Sequence, residues 1–198
     1  MSRTPEGPTP SPEPTVTGEL PQQKFGPVLS ALMFSWGYDY QSPLARAREN
    51  DQIVRRLATA ALAAANDKLR AIEVDYRRLN VPPPTRQKPF APQEVQDALV
   101  ELHRLSRVVT GFIGTIESME SAPADHQAKR LGLDADWSTK CIAADIELVL
   151  GAQRLRDAVI AVDASTFVIS NLAAMLKPLL DDLARHTSAR RDLIARSG

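Results

Sequence analysis

The chain has 198 residues, 43% apolar and 24% charged, with 24 Lys+Arg against 24 Asp+Glu and therefore no net charge. That length supports one domain plus a tail, and the balanced charge removes the basic field that drives binding to nucleic acid or an anionic membrane surface. The single cysteine, Cys141, excludes an intrachain disulfide framework and any Cys-based zinc site.

Residues 1–23 carry prolines at 5, 8, 10, 12, 14 and 21 among Ser, Thr, Glu and Gly. Such a segment has little to bury against its ordering entropy, so a disordered or polyproline-like tail is expected. It contains no apolar run of the kind a secretory signal needs. A cytoplasmic location is expected, with a signal-less secretion route as the alternative. Arg outnumbers Lys and Ala is abundant, the usual drift of GC-rich bacterial coding.

Residues 24–41 form a second unit. The stretch KFGPVLSALMFSWGYDY holds five of the ten aromatic residues, Phe25, Phe34, Trp36, Tyr38 and Tyr40. Pro27 suits a first helical turn and Gly37 a stop, which predicts a short helix. Its apolar residues cover most of the circumference, so more than one side must be covered. Two readings stay open: a plug over the end of the chain's own core, or an anchor for a protein partner. Under the second, the contact candidates are Phe25, Leu29, Leu32, Met33, Phe34, Trp36, Tyr38 and Tyr40, since aromatic and Met side chains dominate interfaces.

Residues 42–198 read as an all-α, antiparallel helical bundle or coiled-coil domain. Ser42 and Pro43 form an N-cap and first position for a helix whose stripe is Ala58, Leu62, Ala65, Leu69, Ile72, Tyr76 and Leu79. Consecutive prolines at 82–84 end it. A second helix starts near Pro92, with the stripe Val95, Ala98, Leu102, Leu105, Val109, Phe112, Ile116 and Met119. The connection at 121–138 has room for one short helical turn after Pro123.

The third segment repeats by seven: Cys141, Leu148, Leu155, Val162, Ile169, Leu176 and Leu183 are all apolar, and Leu172 and Leu179 join them on the companion positions. A strict seven-residue repeat keeps one seam toward a partner helix, so these nine residues are the self-association candidates. Unbroken phase favours one helix over about 134–196, roughly 90 Å long. Asp163 or Ser165 as an N-cap offers a break into two helices, and Pro178 predicts a kink. The near-apolar run 158–176 is read as a core helix rather than a membrane span, because Asp163 lies inside it.

No catalytic or metal-binding constellation emerges. His103, His126 and His186 have no second histidine at helical spacing, and neither Glu-x-x-His nor His-Glu-x-x-His occurs. The pairs Asp134/Asp136, Asp145/Glu147 and Asp181/Asp182 are one or two apart, so they read as solvated faces or helix starts. Gly111 and Gly114 read as a close helix crossing or a bend. Arg185, Arg190, Arg191 and Arg196 read as cations complementing a helix C-terminus. The expected function is therefore non-enzymatic: a self-associating scaffold, adaptor or structural subunit, with protein partners and a homo-oligomeric state, no cofactor, no metal, no nucleic acid and no transmembrane span. Alternatives are a signal-less secreted effector or secretion-system accessory protein, and a small-molecule-binding helical bundle.

Overall fold

The computed structural model describes residues 33–38, 47–83, 90–121, 123, 132, 135–162 and 169–195. Its elements are α1 (Ala47–Asn80), α2 (Gln93–Glu117), α3 (Ala135–Ile160) and α4 (Ile169–Ala195), preceded by a single helical turn at 33–35. Among the described residues there is no strand. The expected Pro-rich tail, the Ser42–Pro43 helix start and the post-Pro123 turn lie outside the described residues.

Each helix stops where its local chemistry requires. The last turn of α1 closes with Val81 N–H donating to Arg77 O at 3.0 Å and Asn80 Nδ2 donating to Tyr76 O at 3.0 Å, just before Pro82. At the start of α2, Pro92 is the N-cap, and Gln96 Nε2 donates to Ala91 O at 2.7 Å. Pro178 sits inside α4, which continues through it.

The core gathers the predicted stripes of all four helices. Ala58, Leu62, Ala65, Leu69 and Ile72 of α1 meet Leu102, Leu105, Val109 and Ile116 of α2. Leu148, Leu155 and Val159 of α3 meet Leu172, Leu176 and Leu183 of α4 in the same cluster. Burying a Leu or Ile side chain contributes about 1.5–3 kcal/mol each, so this continuous cluster is what sets the packing of the four helices. Leu79 is a departure from its stripe: it is exposed, because α1 has run past the core by its last turn.

The expectation of one helix over 134–196 is corrected. The hydrogen-bond ladder of α3 ends with Ala161 N–H on Asp157 O at 3.0 Å and Val162 N–H on Val159 O at 3.2 Å. Helix α4 is a separate helix that packs on α3. At Gly151 a Cβ would stand 3.5 Å from Leu183 Cδ1 and 3.6 Å from His186 Cδ2, so the two helices approach closely there. As two packed helices, the segment covers its own Leu148, Leu155, Leu176 and Leu183, which a single rod cannot do.

At Gly111 and Gly114 the expected close crossing is corrected, since a Cβ at either would meet nothing within 4 Å. They face open space rather than a crossing. With no packing at stake, only helix propensity remains. Gly111→Ala and Gly114→Ala are each expected to raise the unfolding free energy by about 0.5–1 kcal/mol in urea titrations.

α1 packs on α2 and on α3, α3 packs on α4, and α2 meets α4 more loosely than these. On that looser side lies a groove of about 450 Å³ between Leu105, Val108 and Phe112 of α2 and Ala173, Leu180 and Ala184 of α4. No helix among the described residues is long and apolar enough to cross a membrane.

Candidate functional site

The polar centre of the molecule is built around Arg190, in the last two turns of α4. Its side chain is buried between two carboxylates, donating from Nε to Asp145 Oδ1 of α3 at 2.7 Å and from Nη2 to Asp51 Oδ1 of α1. Nη1 lies 3.7 Å from the sulfur of Met119, just beyond α2. One guanidinium thus touches residues from the other three helical units.

Two further side chains complete the network. Tyr38 Oη donates to Asp145 Oδ2 at 3.0 Å, so the aromatic segment is tied to α3. Arg55 Nε pairs with Asp51 Oδ2 at 3.0 Å, one helical turn along α1. Beyond Asp51, Arg55 reaches the end of α2, donating to the carbonyls of Ile116 (3.4 Å), Glu117 (3.1 Å), Met119 (2.6 Å) and Glu120 (2.6 Å). Ile116 and Glu117 are in the last turn of the helix, whose carbonyls lack intrahelical partners and favour a cation, and Met119 and Glu120 follow just beyond it.

Burial and charge pull against each other here. Burial pushes the Asp145 carboxyl above its usual range, and the opposing pull of Arg190 and the Tyr38 hydroxyl does not cancel it. For Arg190, burial acts to lower the value, yet Asp145 and Asp51 outweigh it and hold the guanidinium above its ordinary range. Cys141, nearby on α3, has its thiol pushed up to about 12, by burial first and then by the Asp145 charge. A thiol so far from ionising is a poor nucleophile at neutral pH.

The aromatic segment splits between the two readings of the sequence. The turn at 33–35 ends in a Schellman motif: Gly37 has φ +90°, its N–H donates to Phe34 O at 2.8 Å, and Tyr38 N–H donates to Met33 O at 3.0 Å. That motif brings residues 33 and 38 to the same side, and these two are the buried ones. Met33 and Tyr38 are therefore core residues rather than a partner surface, whereas Phe34 and Trp36 stand out at 71% and 51% exposure. Phe25, Leu29, Leu32 and Tyr40 lie outside the described residues.

The seam candidates resolve similarly. Leu148, Leu155, Leu172, Leu176 and Leu183 are buried in the chain's own core, with Val162 and Leu179 half-buried against it and Cys141 half-buried. The side chain of Ile169 lies outside the described residues. A bare seam was the sequence argument for an oligomer, and these positions leave no such bare stripe.

Three residues of the network were missed. Asp145 is not on a solvated face, and Arg190 is not a surface cation at a helix end; both are buried. Asp51 drew no attention at all. The signal was present as phase: Arg190 lies seven residues past Leu183, and Asp51 lies seven before Ala58. A charged residue in the next place of an apolar series marks a buried charge, which is tolerated only when paired.

Beside the network, Tyr38, Trp137, Ser138, Cys141 and Ile142 line a cavity of about 20 Å³. Ser138 is only 4% exposed, and its Oγ finds no partner among the described residues. Among the described residues no three His, Cys, Asp or Glu side chains cluster as metal ligands. His186 Nε2 lies 3.8 Å from a Glu147 oxygen at the α3–α4 contact. No family model, curated protein or solved structure matches the chain.

Proposed function

We propose that the chain is a non-enzymatic, self-associating helical protein, a scaffold, adaptor or structural subunit that works through protein contact. One observation carries this reading: Phe34 and Trp36 project from a turn whose two ends, Met33 and Tyr38, are fixed in the core. Aromatic side chains dominate interface energetics, and a turn already held in place loses little freedom on binding. The non-enzymatic part is supported by how the buried charges are used. Asp51, Asp145 and Arg190 hold helices together, beside a cavity with room for about one water.

The reading takes the domain as an antiparallel bundle with a heptad-patterned C-terminal pair. In support, Arg55 faces Met119 while Asn66 faces Ser106, and Asp145 faces Arg190 while Gly151 faces Leu183. The self-association surface moves from the Leu148–Leu183 seam to the aromatic turn. Sedimentation at micromolar concentration tests it. Wild type is expected as a dimer or larger species, and Phe34→Ser with Trp36→Ser is expected to give a monomer. Its melting temperature should stay close to that of wild type, because exposed positions cost little. A monomeric wild type ends the self-association reading. The α2–α4 groove favours one second reading, a small-molecule-binding bundle, since its volume falls in the usual range for ligand sites.

A further inference from the structure

We propose that the groove between α2 and α4 receives the aromatic turn of a second copy of this chain, Phe34 and Trp36 of one protomer entering the groove of the next. The inference rests on the self-association reading and adds the surface that the turn meets, so an assembly built another way refutes it alone.

The first argument is fit. Leu105, Val108 and Phe112 of α2 face Leu180 of α4 across a space of about 450 Å³. On α2 these residues recur at steps of three and four, so they form one apolar wall. Alanine at 173 and 184 on the α4 side leaves the room that larger side chains would close. Spaces of this size take a drug-sized apolar group, and Phe34 and Trp36 are the exposed large apolar side chains of the turn.

The second argument is charge. One cation stands on each wall, Arg104 on α2 and Lys177 on α4. Glu101 holds the first at 2.6 Å and Asp181 the second at 2.8 Å, each from the cation's own helix, and both cations stay exposed at the rim. A cation beside the face of an aromatic ring is attracted to it, and Phe112 offers a ring-to-ring contact below. Aliphatic walls edged by Arg and Lys therefore suit Phe and Trp better than an aliphatic or basic partner.

The third argument is placement. The turn is carried on α1 and α3: Tyr38 Oη donates to Asp145 at 3.0 Å, and a Cβ at Gly37 would stand 3.9 Å from Ile53 Cδ1. Since α1 packs on α2 and α3, and α3 on α4, the α1–α3 side of the bundle lies opposite the α2–α4 side. A turn fixed on one side does not reach its own groove on the other. Two copies also do not exchange turns reciprocally, because the two surfaces face away from each other. The contact is head-to-tail, and such contacts close into a ring of three or more or continue as an open chain.

The test is sedimentation of the full chain with two complementary variants. Phe34→Ser with Trp36→Ser loses the rings and keeps the groove. Ala184→Glu, at an exposed position of α4, keeps the rings and sets a carboxylate in the groove. We expect wild type to form species larger than a dimer and each variant alone to be a monomer. An equimolar mixture of the two should form a 1:1 pair and grow no further, since only one turn and one groove remain. Adding Arg104→Gln to the chain that supplies the groove should weaken that pair about two- to fivefold. Phe90→Ser, which removes an exposed aromatic before α2, should leave wild-type assembly unchanged. If Ala184→Glu does not fold, Ala174→Glu, also exposed in the groove, is read by the same criteria. A monomeric wild type overturns the self-association reading and this inference with it. An assembled wild type overturns this inference alone if it stops at a dimer, if the folded groove variant assembles equally, or if the mixed variants stay monomeric. An affinity unchanged by Arg104→Gln overturns the role of that cation.

Discussion

Arg190→Met is expected to lower the unfolding free energy by about 3–5 kcal/mol at neutral pH, the range for leaving a buried charge without its partner. The guanidinium is the counter-charge of Asp145 and of Asp51 at once, and all three side chains are buried. Met keeps much of the volume of the Arg stem, so the loss is electrostatic rather than a cavity. The pH dependence identifies that cause. Burial already raises the Asp145 carboxyl above its usual range, so the folded chain holds this proton more tightly than the unfolded chain does. The stability linked to that proton is fully present below the unfolded carboxylate value and is lost as pH rises through the raised folded value. Removing Arg190 takes away the strongest opposing pull and carries the folded value further up. The deficit of Arg190→Met against wild type should therefore shrink as pH falls from neutral toward the carboxylate range, measured by urea unfolding. Adding Asp145→Asn should recover part of the loss, since the carboxylate left without a cation is then neutral, whereas Asp51 keeps Arg55. A deficit that stays constant with pH assigns the loss to packing and removes the electrostatic account.

The apolar stripes were legible because burial of Leu, Ile and Ala at three- and four-residue steps is decided by the helix itself. Leu62, Leu69, Leu102 and Leu105 all lie where their spacing places them. The break between α3 and α4 was harder to read. The seven-residue spacing from Cys141 to Leu183 runs unbroken in the sequence, and spacing alone does not distinguish one helix from two packed together. Buried area does distinguish them: a lone rod leaves Leu155, Leu176 and Leu183 to find a second chain, whereas two packed helices cover them within one. The polar centre was missed for a different reason. Asp51, Asp145 and Arg190 are far apart in sequence, and each reads as an ordinary surface charge in its own neighbourhood. Only their phase relative to Ala58 and Leu183 marks Asp51 and Arg190 as inward-facing. The segment at 33–38 was half legible, since Gly37 gave the stop, but which aromatics turn inward depends on the Schellman geometry that places Tyr38 beside Met33.

Arg55→Met should cost about 2–3 kcal/mol and loosen the end of α2. Arg55 donates to the carbonyls of Ile116, Glu117, Met119 and Glu120, and its Nε faces Asp51 Oδ2. Hydrogen bonds from a charged donor contribute about 1.5–3 kcal/mol each in isolation. They share one side chain near the surface, so their sum is far less than additive. Two consequences should appear together. Amides of residues 116–120 should exchange faster, because Ser118 N–H on Gly114 O is the last rung of a helix that has lost its cation. Global stability should fall as well, because Asp51 loses one of its two basic partners and Arg190 is left to satisfy it alone. Arg55→Lys separates the two effects. Lysine restores a positive charge near the α2 terminus but has no planar fork to reach four carbonyls and a carboxylate at once. It should regain part of the global stability while the amides at 116–120 stay fast. If Arg55→Met speeds those amides without lowering the global midpoint, Arg55 is a local cap and the connection from α2 through Asp51 to Arg190 carries no energy. A fall in both ties the end of α2 to the same buried charge that holds Asp145 and, through it, Tyr38.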